Sequence, residues 1–259
     1  MPNASPLSVA DIAAALGALA PRFDVDVLAE CDSTNARLLE RAEAGAPAGT
    51  VIVAERQTAG RGRLGRVWFS APGDSLTFSL LWRFPHGTSL GGLSLAVGVV
   101  LVETVAALGL RDVAVKWPND VLRDGRKLAG VLIELVPGAH TAAVIGIGLN
   151  LRLPATLPED LIRQTAAIDN HLPRSELLAR LLAALHAVLT AFASGGFDAL
   201  RQRWLARCAH LEQAVRVVSQ FAMPVEGRCI GVDADGALLV ETPAGIQRIL
   251  SGDVSLRLP

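Results

Sequence analysis

The order of apolar and polar positions alternates between helical and extended periods along the chain. From Ser8 to Leu19 an Ala/Leu-rich run has helical spacing, with Ser8 and Asp11 in capping-box-like positions ahead of it. Asp32-Ser33-Thr34-Asn35 supplies the start of a second helix, which runs through residues 36–44 and stops at Gly45. Thr50 to Ala54 predicts a short buried strand. Ser75 to Phe84 alternates strictly, with Leu76, Phe78, Leu80, Trp82 and Phe84 on one face, which predicts a half-buried strand. Gly91 to Leu108 is apolar on nearly every side and predicts a buried helix. Val113 to Trp117 reads as a strand ended by Pro118, and Val121 to Leu135 as a hairpin turning at Asp124-Gly125. Thr141 to Leu151 is a further apolar strand. Arg152 to Ile168, with Pro154 and Pro158, predicts a loop carrying a short helix. Ser175 to Phe192 and Phe197 to Cys208 read as amphipathic helices separated by Gly195-Gly196.

The texture changes after residue 211. Short alternating runs joined by turns at Asp235-Gly236 and Pro243-Ala244-Gly245 predict a small antiparallel barrel of about five strands. The expected class is α+β: a mixed β-sheet with flanking helices over residues 1–210, then a β module over residues 211–259.

Composition narrows the function classes. The chain has 259 residues, 51% hydrophobic and 19% charged, which excludes a disordered chain. A net charge of −1 disfavours a general nucleic-acid binder. No basic segment opens the N-terminus. The apolar stretch from Leu90 to Val102 is short of the roughly 20 residues that span a bilayer. The three cysteines, Cys31, Cys208 and Cys229, form no Cys-x-x-Cys pair, so neither a disulfide framework nor a zinc site is expected. These features predict a soluble, cytoplasmic protein with reduced thiols and no membrane partner. Of 24 basic residues only two are lysines, Lys116 and Lys127. A site that needs a compact ammonium does not accept a forked guanidinium, so the two lysines are candidates for function.

Four segments carry chemistry. Residues 57–68 (QTAGRGRLGRVW) hold three glycines and three arginines within seven residues. Glycines let a loop approach a ligand, and arginines offer forked donors to carboxylate or phosphate. Ordering such a loop without an anion is expected to be costly. Gly60, Gly62 and Gly65 match G-x-G-x-x-G literally, but the segment leads into a strand rather than opening a helix, so the dinucleotide reading fails. Lys116-Trp117-Pro118-Asn119-Asp120 brings a cation, an amide and a carboxylate to a strand end. Arg126-Lys127-Leu128-Ala129-Gly130 follows the Asp-Gly turn, and a ligand has room against the backbone at Gly130. Gly146-Ile147-Gly148-Leu149-Asn150 is a strand whose glycines leave space where side chains would stand. Without a nucleophilic triad or a metal cluster, this set suits stabilisation of a negatively charged transition state, as in acyl-adenylate or phosphoryl chemistry.

Together with Cys31-Asp32-Ser33-Thr34-Asn35, these segments, in this order, resemble the biotin–protein ligases (biotin–[acetyl-CoA-carboxylase] ligases) over essentially the whole chain. The resemblance implies a class II aminoacyl-tRNA synthetase/biotin ligase-like sheet and an SH3-like C-terminal domain. It implies activation of biotin with ATP and Mg²⁺ to biotinyl-5′-AMP, then transfer to a lysine of the biotin carboxyl carrier protein of acetyl-CoA carboxylase. By resemblance, Ser33, Thr34, Asn35, Gln57, Arg61, Gly62, Arg63, Lys127 and Gly130 bind biotin. Arg63, Arg66, Trp68, Lys116, Asn119, Lys127, Gly148 and Asn150 serve ATP and the adenylate, with Lys127 and Arg63 catalytic. No residue is assigned as a direct metal ligand, and the role of Asp120 stays open. Only about 25 residues precede the matching pattern, so the short form without an N-terminal DNA-binding domain is expected, and no DNA partner. A homodimer is left open. The alternatives are a lipoate–protein ligase and a non-catalytic biotin-binding regulator.

Overall fold

A computed structural model describes residues 6–138, 141–153, 158–169, 172–219, 223–250 and 254–257. Residues 154–157 of the expected loop, Pro154 among them, lie outside the described residues. The main sheet has seven strands in the order β1-β2-β3-β7-β6-β5-β4. These are β1 (Asp24–Cys31), β2 (Thr50–Gln57), β3 (Ser75–Arg83), β4 (Val113–Lys116), β5 (Asp120–Arg123), β6 (Arg126–Leu135) and β7 (Ala142–Asn150). Helix α2 (Thr34–Glu43) carries the crossover that lays β1 parallel to β2; the other neighbours are antiparallel. At its start the Ser33 hydroxyl accepts from the Ala36 N–H, so the predicted helix start is an N-cap.

The Asp124-Gly125 turn links β5 to β6 with φ of 49° and 72°. Both positive values match the type I′ geometry that the dipeptide favours. Strand β3 differs from expectation. Its apolar face is in the core, but Ser75, Thr77 and Ser79 are buried as well. The alternation is real, and the polar face looks into a cavity rather than into solvent. Helix α3 (Leu93–Ala107) is buried nearly all round, as its uniform apolarity predicts. Helix α5 (Arg174–Gly195) runs through the first glycine of the expected break, and Gly196 ends it at φ 60°. By length and composition alone α5 is able to cross a membrane. Its leucines at 177, 178, 181, 182, 185 and 189 instead fill the core, where it packs on α1 (Val9–Leu16) and α3.

The C-terminal strands β8 (Ala214–Ser219), β9 (Val225–Val232), β10 (Leu238–Thr242), β11 (Gly245–Ile249) and β12 (Val254–Arg257) form one antiparallel sheet ordered β11-β10-β9-β8-β12. Its buried residues Val215, Cys229, Leu238 and Val240 join the same apolar cluster as Trp117 and Trp204. Two polar links reinforce that junction. The Trp117 indole N–H donates to the Gly236 carbonyl at 3.1 Å, and Val115 on edge strand β4 exchanges backbone bonds with residues 207 and 209. The segment after α6 (Asp198–Leu205) therefore covers an otherwise open strand edge.

One buried ion pair fastens the N-terminus. Arg174, 7% exposed, holds Glu55 through two bonds of 2.5 and 2.9 Å, and Glu55 also accepts from the Leu7 N–H. Burial pushes the Glu55 carboxyl up, but the Arg174 and Leu7 hydrogen bonds outweigh it and hold it below its usual range. Its stabilisation is present above the ordinary glutamate range and is lost as pH falls through the lowered folded value. Glu55→Ala removes the carboxylate that neutralises the buried arginine and is expected to cost about 3–5 kcal/mol in urea unfolding at neutral pH. The gap to the unmodified protein should narrow in acid. A loss below about 1 kcal/mol would show that the pair contributes little.

Candidate functional site

The polar face of β3 forms the floor of a cavity of about 360 Å³, and its lining runs from Ser33 to Thr165. Pairing register explains the space above that floor. Thr77 stands opposite Gly148 and Ser79 opposite Gly146, while Gly130 and Leu132 of β6 face the same two glycines from the other side. A side chain at Gly146 would strike Asn35 Oδ1 at 2.2 Å, and one at Gly148 would strike the Trp68 ring at 2.3 Å. The glycines of β7 are therefore room made for two functional side chains.

At the inner end sit Thr34, Asn35 and Gln57, all buried. The Thr34 N–H donates to Gln57 Oε1 at 2.7 Å, and the Thr34 hydroxyl oxygen lies 3.1 Å from the same atom. The Ser79 hydroxyl donates to Asn35 Oδ1 at 2.5 Å, and its oxygen lies 2.8 Å from Thr34 Oγ1. Beside them, the Ser33 N–H and then Arg37 hold the Asp32 carboxyl below its usual range at the start of α2. This end offers amides and hydroxyls rather than charge, which suits a neutral polar ring.

The Gly/Arg segment folds over the opening as a small hairpin. Trp68 N–H donates to Gly60 O at 2.9 Å, Gly62 N–H to Arg66 O at 2.7 Å, and Arg61 bridges to Val67. Leu64, at φ 60° and ψ 30°, turns it in the left-handed region. The loop's own backbone pairs give it this shape. Arg61 Nη2 lies 3.6 Å from Glu134 Oε1, and Arg63 donates to Asn119 Oδ1 at 3.3 Å. Val67 and Phe69 remain 67% and 55% exposed on the rim.

Lys127 occupies the middle. Its Nζ lies 2.7 Å from Asp120 Oδ1 and 5.9 Å from the centre of the Trp68 ring. Asp120, whose role the sequence leaves open, is thus the counter-ion of Lys127. Asn119 donates to Val131 O, and Asn150 donates to Lys127 O and Ala166 O at 3.2 and 3.1 Å. Both amides brace the strand that carries Lys127, so the Asn150 donors are engaged with backbone.

The cavity gathers Ser33, Thr34, Asn35, Gln57, Arg61, Gly62, Arg63, Arg66, Trp68, Asn119, Lys127, Gly130, Gly148 and Asn150 from six separate segments. Lys116 is the exception. It lies on edge strand β4, outside the lining, beside His210; burial and then the Lys116 charge hold that imidazole below its usual range. Sequence reasoning missed Asp74, Ser75, Thr77 and Arg152, which also line the cavity. Only the polar positions of β3 carried a readable signal. Among the described residues no group of three His, Cys, Asp or Glu side chains could hold a metal. Mg²⁺ needs only one or two carboxylates when substrate phosphates complete its shell. Asp74 and Asp120 fit that demand for a metal that arrives on a nucleotide.

Comparison with known proteins bears on this geometry. Residues 27–150 match the biotin/lipoate A/B protein ligase family, and residues 210–257 match the biotin protein ligase C-terminal domain. The bifunctional ligase/repressor BirA of Salmonella typhimurium is 39% identical over 243 residues, 90% of this chain and 74% of that protein. The biotin–[acetyl-CoA-carboxylase] ligase of Paracoccus denitrificans is 35% identical over 88% of this chain and 98% of its own length. The Aquifex aeolicus biotin protein ligase, solved in complex with biotin and ATP, superposes with a TM-score of 0.81 at 31% identity, covering 91% of this chain and 99% of that one. From its sheet and C-terminal module to its glycine-cleared cavity, the chain belongs to the biotin/lipoate A/B protein ligase family, among the biotin protein ligases.

Proposed function

We propose that this biotin protein ligase activates biotin with ATP to biotinyl-5′-AMP and transfers the biotinyl group to a lysine of a biotin carboxyl carrier protein domain. The single observation that carries this reading is the placing of one lysine, Lys127, between a neutral polar pocket end and an arginine-rich lid. In the first step a biotin carboxylate oxygen bonds to the α-phosphorus and the bond to the β-phosphate oxygen breaks, releasing pyrophosphate. In the second, a neutral carrier lysine attacks the anhydride carbonyl, an amide forms and AMP leaves. Both steps gather negative charge where Lys127, Arg61 and Arg63 converge, and preorganised cations there lower the barrier. Thr34, Asn35 and Gln57 present donors and acceptors to the ureido ring. Trp68 and Arg66 face the nucleotide side, where Asp74 and Asp120 would hold a Mg²⁺ ion that offsets phosphate charge. Every lining residue precedes residue 166, which supports chemistry within residues 1–210 and leaves 211–259 to packing or carrier docking.

The test is mass spectrometry of the purified protein after incubation with biotin and Mg-ATP, paired with a pyrophosphate assay. Retained biotinyl-adenylate and stoichiometric pyrophosphate are expected. Pyrophosphate with lipoic acid but not biotin would move the chain to the lipoate ligases. Biotin binding without pyrophosphate would make it a non-catalytic binder.

A further inference from the structure

We infer that Glu134 is a positioning residue that ties the arginine lid to the buried end of the pocket, an inference that rests on the ligase reading above. Glu134 lies on β6, where Gly130, Leu132 and Glu134 share one face of the strand. It stands outside the cavity lining and reaches the cavity through two neighbours that do line it. Its Oε2 accepts from Asn35 Nδ2 at 2.8 Å, and its Oε1 lies 3.6 Å from Arg61 Nη2.

The Asn35 contact continues inward. Because a carboxylate only accepts, Asn35 must turn its NH₂ toward Glu134 and its oxygen toward the Ser79 hydroxyl. The Ser79 proton being spent on Asn35, Ser79 Oγ accepts from the Thr34 hydroxyl, and the Thr34 N–H donates to Gln57 Oε1. Gln57 returns the chain to the lid. Its N–H donates to Ser70 Oγ at 2.8 Å, and its amide packs where a side chain at Gly60 would stand. The polar groups thus run in a circuit from lid base to pocket to lid arginine, with Glu134 closing it. In such a buried network each bond polarises the next.

Two consequences follow from one carboxylate. Its acceptor oxygen fixes which way the Asn35 amide faces the ligand. Its charge gives Arg61 an anchor on rigid β6 rather than on the ligand alone. The pair is half-exposed, so its contribution is modest and screened by salt.

Glu134→Gln separates the two roles. The amide oxygen still accepts from Asn35, but the attraction for Arg61 is gone. The experiment incubates enzyme, biotin and Mg-ATP with an unrelated lysine-rich protein. It reads bystander biotinylation per pyrophosphate released, at 0.05 M and 0.5 M NaCl (about 14 and 4 Å of screening length). In the unmodified enzyme this escape ratio should rise with salt. In Glu134→Gln it should start about two- to fivefold higher and depend less on salt, since only the lid's attraction for the anionic intermediate is then left to screen. Glu134→Ala should add a rise in biotin KM, because the Asn35 amide then keeps only its longer bond to Leu132 O at 3.4 Å. An escape ratio that is insensitive to salt in the unmodified enzyme overturns the inference without any variant. An active enzyme whose Glu134→Gln form matches it in ratio and salt dependence overturns it too. No pyrophosphate from the unmodified protein defeats the ligase reading itself, and this inference with it.

Discussion

Lys127→Gln is expected to lower biotinyl-adenylate formation by about 10²–10³, the range for removing one preorganised donor to a developing anion. The ground for so large an effect is placement. Lys127 is held by Asp120 at 2.7 Å, its strand is braced by the amide of Asn150, and its ammonium stands between lid and sheet. Glutamine, one bond shorter, keeps the polarity but removes the charge that two anions need when they meet. Biotin binding by calorimetry should weaken far less than single-turnover pyrophosphate release, because the inner pocket does not touch this side chain. Lys127→Arg is expected to fail as well. Lys127 Cε and Nζ already lie 3.3 Å from where a Gly130 side chain would begin, and a planar fork has less room and a different donor geometry there. Near-normal pyrophosphate release from a folded Lys127→Gln would remove Lys127 from the chemistry.

Gly148→Ala should raise the ATP KM by about 5- to 150-fold, the equivalent of 1–3 kcal/mol of base–aromatic stacking, with biotin affinity changed little. Its new methyl would lie 2.3 Å from Trp68 Cε2, so the indole must leave the strand. Since Trp68 also closes the lid hairpin through its backbone N–H, the displacement reaches the loop. The double variant Gly148→Ala/Trp68→Ala distinguishes this route from a general loss of fold: it should be no worse than Trp68→Ala alone. An unchanged ATP KM in Gly148→Ala would mean that Trp68 serves the wall and not the nucleotide.

Features set by local chemistry were legible in the sequence. The Asp124-Gly125 turn, the Ser33 cap and the all-apolar α3 each depend on residues within a turn or two. Features set by distant pairing were not. Strand β1 carries only a short alternation, Asp24-Val25-Asp26-Val27, which Leu28-Ala29 breaks, and its full length is set by lying parallel to β2. The alternation of β3 was read correctly as a period and wrongly as a solvent face. Period reports two faces but not what lies beyond each, and here a cavity lies beyond the polar one. Lys116 stands apart from the cavity for a related reason. Sharing a pentapeptide with Asn119 does not place it at the cavity, since the chain turns between them and Trp117 goes into the core. The other motif residues meet at one cavity, where glycines at 130, 146 and 148 allow side chains to approach the strands closely.

The junction between the two sheets bears on how this chain could be recombined with its relatives. An exchange of C-terminal modules cut at residue 211 leaves Cys208 and the covering segment of β4 with the host, and takes the Gly236 acceptor of Trp117 with the donor. It also splits one apolar cluster between two parents whose side chains were never fitted to each other. A chimera that carries α6 along with the module still inherits the host's β4 and Trp117. The smallest transferable unit on the C-terminal side is therefore the strand sheet together with α6 and a matched loop at residues 91–92, where a side chain at Gly91 would meet the Asp235 backbone at 2.9 Å. Modularity in this fold is bounded by the packing that crosses the seam near residue 211.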